Sequence, residues 1–546
     1  MKKLITLLLA FVMALSVTSF AGCKKDDENT LWIKVAVAGY GRAWLDDLGD
    51  LYEQKYPGKK VEIRQIIKDS STVVNETLSG SSKFDLIFVE DRVESKYNTQ
   101  VQAKDGTIYQ HPFADLNDIY NAKLPGEDVT MADKMFDQTY RLVTVDNADG
   151  TQSQYSVPWM KSLNSIVVNN KVLQNNNYTI EKFPNTTDEL FALCDDLVEN
   201  TNIIPLTYSL DASYFDQVYE SWQFQYYGTE VMRKYYQGYN MDDFNDYDLT
   251  IDDNKELNRY QPEMFFTDGM LKALEIYEEL VCMENKYIGD VQTETDVCNL
   301  DFTSVQNKFL DADNNILFMA NGLWLEREME ANYSPDELDI EFVKVPVVSA
   351  LGTKLGITDE VLSDIIDYVD AGMTGDKPTF TTTQTQFTTD EIIDIVKDAR
   401  SINSAGSNFH SCVTAYSKKI DMAKQFLQLM ATDEGLEVMY NACGGSAPFK
   451  YSIEKLNKLY NDKKLSKFTY SGNKIILEGT YNFDAMDNLF TKNALWNYPD
   501  TSISLISCFG AQQTANRVSA YDMFVRAYNY SETMWDTWLR TAGIEL

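Results

Sequence analysis

The stretch KVAVAGYGRAWLDDL, from Lys34 to Leu48, combines a short apolar strand, a glycine turn and the start of a helix. Apolar residues recur at helical spacing from Leu45 to Tyr52, and Pro57-Gly58 ends this helix. The same alternation continues in VEIRQI (Val61–Ile66, strand), Ser71–Leu78 (helix) and FDLIFV (Phe84–Val89, strand). This strand–helix–strand–helix–strand order predicts an α/β fold with a parallel sheet covered by helices.

Two segments follow the carboxyl ends of the predicted strands, where parallel sheets bind their ligands. They are Gly39–Trp44 and Glu90–Arg92. Gly39 and Gly41 have the spacing of a dinucleotide-binding fingerprint, but Trp44 stands where the third glycine should be. We therefore expect a turn that presents an aromatic ring instead of a phosphate cradle.

The N-terminus has the pattern of an exported protein. Lys2 and Lys3 precede the apolar run Leu4–Ser16, which is too short to span a bilayer comfortably. SFAGC, ending at Cys23, resembles a bacterial lipobox with Phe20 in place of the usual leucine. We expect a lipoprotein signal peptide over residues 1–22, lipidation of Cys23 and a polar tether over 23–30. A plain secretory signal with an unmodified cysteine is the alternative.

The composition excludes several classes of function. The chain has 546 residues and a net charge of −35, which disfavours nucleic acid as a partner. It carries only two histidines, and no zinc, phosphate-loop or nucleophile-elbow motif occurs. DADNNI (Asp311–Ile316) has partial calcium-loop spacing but lacks the required glycine. We predict no metal, no cofactor and no catalytic residue.

Several later segments match one family in its own order along the chain. They are DLIFVEDR (Asp85–Arg92), YSVPWMKSLNSIVVNNKVL (Tyr155–Leu173), LFMANGLWLER (Leu317–Arg327) and IDMAKQFLQLMATDEGLEVMYNACGGSAPF (Ile420–Phe449). Together, behind a lipobox, they resemble the maltose/maltodextrin-binding proteins of bacterial transporters. The chain is longer than a typical member, and residues 349–399 and those after 455 have no counterpart in the family pattern.

The resemblance implies a two-lobed periplasmic-binding-protein fold, each lobe a mixed sheet covered by helices, joined by crossover hinge segments. One lobe would hold residues 31–157 and 405–450, and the other 158–348 and 451–546. Residues 349–404, rich in Thr, Asp and Gly, would form a surface excursion near the second crossover. The family binds a sugar between its lobes and has no catalytic step.

The resemblance also implies a location and partners. The chain would be a monomer, lipid-anchored at the extracellular face of the cell membrane. It would deliver an oligosaccharide to the permease of an ABC importer.

The candidate ligand-binding residues combine aromatic rings with planar polar groups, as sugar sites do. Trp324 matches the stacking tryptophan of the family, and Asp91 and Arg92 match its sugar-contacting pair. Trp44 is a candidate from its strand-end position and Trp159 from its place in the first crossover. The weaker candidates are Glu90, Tyr40, Arg42 and Asn321.

Each of the stronger candidates has a structural alternative. Trp324 could pack at a helix start, Asp91 and Arg92 could form a salt bridge, Trp44 could be core and Trp159 could pack in the hinge. Two other functions use the same residue types: a surface-anchored carbohydrate-active enzyme, and a sensory or adhesive sugar-binding lipoprotein.

Overall fold

The computed structural model describes residues 28–37, 39–67, 69–90, 93–147, 150–207, 215–236, 267–281, 286–288, 301–445, 447–479, 481–483 and 518–541. The strands are β1 Thr30–Val37, β2 Lys60–Ile67, β3 Leu86–Val89, β4 Val101–Gln102, β5 Ile108–Tyr109, β6 Thr144–Asp146, β7 Gln152–Gln154, β8 Val157–Asn169, β9 Ile204–Thr207, β10 Ile316–Gly322, β11 Ile340–Val343, β12 Ile402–Val413 and β13 Tyr481–Phe483.

The first ten helices are α1 Ala43–Lys55, α2 Ser70–Leu78, α3 Asn117–Asn121, α4 Met131–Lys134, α5 Asp137–Val143, α6 Asn170–Asn175, α7 Thr187–Asn200, α8 Phe215–Tyr227, α9 Thr229–Tyr236 and α10 Asp268–Val281. The others are α11 Phe302–Leu310, α12 Leu325–Glu328, α13 Ala350–Leu355, α14 Asp359–Asp370, α15 Thr389–Arg400, α16 Ile420–Met430, α17 Asp433–Cys443, α18 Ile453–Asn461, α19 Lys467–Glu478 and α20 Ala520–Thr541. Single 3₁₀ turns cover Glu94–Lys96, Ala312–Asn314 and Pro335–Glu337.

The predicted β1–α1–β2–α2–β3 order is confirmed. β1 pairs in parallel with β2 along its whole length and with β3 on its other side. Helices cover both faces, because the apolar cluster that contains α1 and α16 is separate from the cluster that contains α2. The carboxyl ends of β1 and β3 therefore lie next to each other, followed by Gly39 and Glu90.

Two long strands connect this half of the sheet to a second half. The strand order is β2-β1-β3-β12-β8-β10-β9, with β11 beside β8 and β13 beside β12. The C-terminal part of β12 pairs antiparallel with β3 and its N-terminal part pairs in parallel with β13, while β8 pairs antiparallel with β12 from Ser404 to Ser411. The end of β8 pairs in turn with β10 and β11. Every residue of β8 is buried, which suits a strand shared by two halves.

The segment expected as a surface excursion, residues 349–404, is largely packed in the second half. Its helices α13, α14 and α15 contribute buried residues to the cluster that also contains α8 and α10. Leu362, Ile365 and Ile366 lie on one face of α14, at the i, i+3, i+4 spacing of a core-facing helix. Only the stretch from about 371 to 390 between α14 and α15 is mostly exposed or half-buried.

Candidate functional site

The turn after β1 lies against the turn after β10, although three strands separate β1 from β10 in the sheet. A β-carbon on Gly39 would lie 3.0 Å from the Cβ of Trp324. The rings of Tyr40 and Trp324 meet edge to face, with centroids 6.3 Å apart. We call this contact between Gly39–Arg42 and Trp324–Arg327 the seam. It joins the two halves at the carboxyl ends of their strands, where α/β sheets bind ligands.

Tyr40 is buried beneath the seam and held by the crossover strands. Its hydroxyl donates a hydrogen bond of 2.6 Å to Ser162 Oγ on β8, and its ring meets Phe409 of β12 edge to face at 5.8 Å. Burial raises the pKa of Tyr40 well above its usual value, and the carboxylates of Glu90 and Glu328 act in the same direction. Tyr40 therefore stays protonated and serves as a fixed donor.

Gly445 leaves room for this arrangement. A β-carbon there would lie 2.3 Å from Met160 Sδ and 3.1 Å from Cε1 of Tyr40. Gly445 follows Gly444, which ends helix α17 in the left-handed conformation. Glycine is required at position 445 because the backbone itself forms one wall behind Tyr40.

Trp324 is the candidate tryptophan that keeps part of its ring exposed. It is half-buried, whereas Trp44 and Trp159 are 0% and 1% exposed. Trp324 caps the short helix α12, and its six-membered ring lies over the backbone of Gly322. An aromatic ring in this position, fixed by backbone on one side, can offer its remaining surface to a ligand.

Trp44 belongs to the core, contrary to the expectation that it faces a ligand. Its ring stacks on that of Trp159 with centroids 4.7 Å apart and planes 13° apart, and Phe88 meets both rings edge to face. The reason is its helical position, since Trp44, Leu48 and Tyr52 lie on one buried face of α1. Trp159 donates its Nε1–H to the carbonyl of Val89 at 3.1 Å. It therefore packs in the crossover, which was the alternative to ligand binding for this residue.

The remaining described candidates make local contacts. Arg42 forms an ion pair with Asp46 at 2.7 Å, one turn further along. Asn321 is fully buried, and its Oδ1 accepts a 2.7 Å hydrogen bond from the Gly322 amide, which shapes the turn before Trp324. Glu90 is half-buried at the end of β3. Asp91, Arg92 and Cys23 lie outside the described residues, as does the predicted signal peptide.

Sequence reasoning missed three residues that form the seam or contact it. Ser162, Phe409 and Arg327 come from three distant segments. Arg327 carried a signal, because it follows Trp324 by three residues and so lies within one helical turn of it. Ser162 and Phe409 carried none, since their position depends on the pairing of β8 with β12 and on the bulge before Phe409.

One arrangement of catalytic residue types occurs away from the seam. His410 Nδ1 lies 3.0 Å from Ser156 Oγ, and His410 Nε2 lies 3.5 Å from the carboxylate of Glu94. Ser156 and His410 are both 0% exposed, and Ser156 Oγ is also bonded to the hydroxyl of Tyr97 at 2.7 Å. A nucleophile needs access to substrate, so this network is a polar core between β8 and β12.

Other features of the described residues bear on the expected chemistry. Among them no group of three or more His, Cys, Asp or Glu side chains could hold a metal ion. Within the same ranges no helix is long and apolar enough to cross a membrane. Cys194, Cys412 and Cys443 are buried free thiols.

The chain is similar in structure to several sugar-binding proteins. It matches the GacH receptor of Streptomyces glaucescens, solved unliganded and with acarbose, with a TM-score of 0.52 and 12% identity over 93% of this chain and 98% of that one. The cyclic α-maltosyl-1,6-maltose binding protein of Arthrobacter globiformis gives a TM-score of 0.53 and 13% identity over 93% and 99%. Maltose-bound MalE3 of T. maritima gives 0.52 and 11% over 92% and 99%.

These likenesses concern the fold. No family profile matches the sequence, and no curated protein is similar to it in sequence. The α/β fold with two lobes, each containing helices on a mixed sheet, is confirmed. The predicted resemblance to maltose/maltodextrin-binding proteins is likewise confirmed at the level of structure.

Proposed function

We propose that the chain is an extracellular solute-binding receptor of an ABC importer, which encloses an oligosaccharide between its two lobes. The observation that carries this proposal is the seam. A tryptophan of one lobe that is only partly buried faces a glycine turn of the other, at the strand ends of both. The structural neighbours include proteins solved with maltose and with acarbose, which supports a carbohydrate ligand.

Trp324 would stack on a flat face of the sugar, and Glu90, Asp91 and Arg92 would pair its hydroxyls. Charged groups make the stronger hydrogen bonds with such hydroxyls. Tyr40 would sit behind the site with its hydroxyl proton donated to Ser162, so it would offer a ligand hydroxyl an acceptor oxygen when the lobes part. Trp44, Trp159 and Asn321 are then positioning residues, because their contacts hold the elements that carry the site.

Arg42 has a second possible partner. Its pair with Asp46 is bidentate and partly buried, with the two side chains 33% and 44% exposed. Arg42 would therefore bind a ligand hydroxyl through the N–H groups that do not contact Asp46, with the pair holding its guanidinium in place.

We place the hinge in β8 and β12. Both strands run from one half of the sheet to the other. This supports a division into one lobe of 31–157 and 405–450 and another that contains 158–348 and the segment after 451. Lipidation of Cys23 would keep a monomeric receptor at the outer face of the membrane, beside its permease.

Isothermal titration of the chain against a panel of neutral oligosaccharides tests the proposal. We expect one or more sugars to bind with one site per chain, and chromatography of the mixture to return each sugar uncleaved. Binding of a peptide or a polyamine with no response to any sugar would contradict the carbohydrate assignment. Cleavage of the sugar would instead indicate a surface-anchored enzyme.

The role in transport has its own test. Deletion of the gene should abolish uptake of the sugar identified by titration. Unchanged uptake in the deletion strain would favour the sensory or adhesive alternative.

A further inference from the structure

A groove system lies on the surface of the C-terminal part and begins at the Arg327 end of the seam. One groove of about 610 Å³ runs from Arg327 past Gly444 to Tyr460 and Lys467. Another of about 410 Å³ runs from Tyr460 and Lys467 to Arg400. Because the grooves share Tyr460 and Lys467, they form one continuous surface, which we call the track.

The junction of the two grooves is an aromatic platform. Tyr460 of α18 and Tyr470 of α19 are stacked, with ring centroids 4.2 Å apart and planes 12° apart. Both side chains are half-buried, and Tyr470 donates its hydroxyl to Asn457 Oδ1 at 2.8 Å. The pair is therefore fixed before any ligand arrives. Stacking covers the inner face of each ring, so a ligand can meet only an outer face, and a rigid aromatic face with a polar fringe is what the flat face of a sugar ring requires.

The charges along the track are largely paired with each other. Arg400 contacts Asp370 at 2.8 Å, and Lys344 contacts the same carboxylate at 3.0 Å. Lys467 contacts Glu341 at 2.7 Å. In a chain with a net charge of −35, this surface has nearly balanced cations and carboxylates. It offers many hydrogen-bonding groups without selecting for a charged ligand, which favours a neutral glycan over an anionic polymer.

One end of the track adjoins the seam. Arg327 lines the first groove, and its Nε lies 3.6 Å from the position that a β-carbon would take on Gly41. Gly444 also lines this groove and precedes Gly445, which lies behind Tyr40. A ligand on the track therefore ends within reach of the proposed interlobe site.

We propose that the track binds a neutral glycan chain, with the Tyr460–Tyr470 pair as its platform, and so retains long saccharides beside the interlobe site. The inference rests on the proposed function for its class of ligand. The track adds a second contact surface to the interlobe site. Only a long saccharide can reach both surfaces at once.

Native gel electrophoresis with soluble neutral polysaccharides in the gel tests this inference. The panel is amylose, xylan, galactomannan and glucomannan. We expect at least one of them to retard the chain, and Tyr460→Ala to need about fivefold more polysaccharide for equal retardation. Tyr460→Phe should behave like the parent because it keeps the ring.

A matched control is Tyr109→Ala, which breaks another tyrosine pair in the other half of the sheet, with Tyr416 at 6.1 Å. It should leave the retardation unchanged. The inference is overturned if no polysaccharide retards the parent, or if Tyr460→Ala and Tyr109→Ala are retarded equally.

The outcome is separable from that of the proposed function. If short oligosaccharides bind by calorimetry and no polysaccharide retards the chain, the track fails and the receptor assignment stands. If Trp324→Ala loses the short sugars and keeps the retardation, the two surfaces are independent sites, as we expect.

Discussion

Gly39 and Trp324 are packed so closely that a β-carbon on Gly39 would lie 3.0 Å from the Cβ of Trp324. The two residues follow β1 and β10, which belong to different halves of the sheet. This close approach brings the strand ends of both halves together, so under the proposed function the size of residue 39 limits the space that a sugar can take beside Trp324.

Gly39→Ala should weaken ligand binding by about 1 kcal/mol or more, because the added methyl group takes space that a sugar ring needs between the Gly39–Arg42 turn and Trp324. The φ angle of Gly39 lies outside the left-handed region, so the backbone itself tolerates alanine. Calorimetry measures the loss. Gly49→Ala is the control, since its β-carbon would meet Val61 Cγ1 at an ordinary 3.5 Å. Equal affinities in the two variants would show that the ligand does not lie beside Gly39.

Trp324→Ala should reduce affinity by more than about 1 kcal/mol through loss of stacking area. Intrinsic fluorescence of the parent should shift on ligand binding, and this shift should shrink in the variant. Trp32→Ala removes a half-buried indole in β1 that contacts Lys83 and Arg64. That control should bind like the parent. A Trp324 variant with full affinity would remove this residue from the site.

Trp159→Phe should destabilise the chain by about 1 kcal/mol more than Trp44→Phe. Both changes remove similar volume from one stacked pair. Trp159 also loses its hydrogen bond to the Val89 carbonyl, whereas the Nε1–H of Trp44 is buried without an acceptor among the described residues. Urea unfolding of the two variants gives the comparison. If Trp44→Phe is less stable than Trp159→Phe, the Nε1–H of Trp44 has a hydrogen-bond acceptor in the native chain, and the prediction is wrong.

Glu326→Gln should gain stability relative to the parent as pH rises from about 4 to about 7. Burial raises the pKa of Glu326 above its usual value, against the hydrogen bonds from Ser466 and Thr469 that favour the charged form. The folded state thus holds its proton more tightly than the unfolded state. The parent therefore loses unfolding free energy as pH rises through this range, and glutamine cannot titrate.

Urea midpoints at several pH values measure this difference. Glu337→Gln, on the exposed 3₁₀ turn, is the control and should follow the parent. Parallel pH profiles for Glu326→Gln and the parent would contradict the prediction.

The sequence alone predicted the elements whose side chains alternate with a clear period. β1, α1, β2, α2 and β3 lie within a few residues of their expected bounds, because each buries one regular set of apolar positions. The sequence also indicates a strand, a glycine turn and a helix around Gly322, and these are confirmed. It indicates one amphipathic helix from Ile420 to Tyr440, but the structure divides this segment into α16 and α17, because Thr432 caps a new helix.

Side-chain direction and long-range pairing were harder to predict. The spacing of Trp44, Leu48 and Tyr52 already indicated a buried helix face, but the strand-end position of Trp44 had suggested a ligand. The contact of Tyr40 with Ser162 spans 122 residues and depends on strand register, which no local pattern encodes. In the segment from 349 to 404, the Thr-rich middle obscured the helical periodicity of α14 and α15.

A crystal structure of the chain with the tightest oligosaccharide of the calorimetric panel tests the central claim most directly. We predict a sugar ring stacked on Trp324, between α12 and the Gly39–Arg42 turn, with the two halves of the sheet rotated about β8 and β12 relative to the unliganded chain. A sugar bound elsewhere, with Gly39 and Trp324 still in contact and nothing between them, would contradict the account.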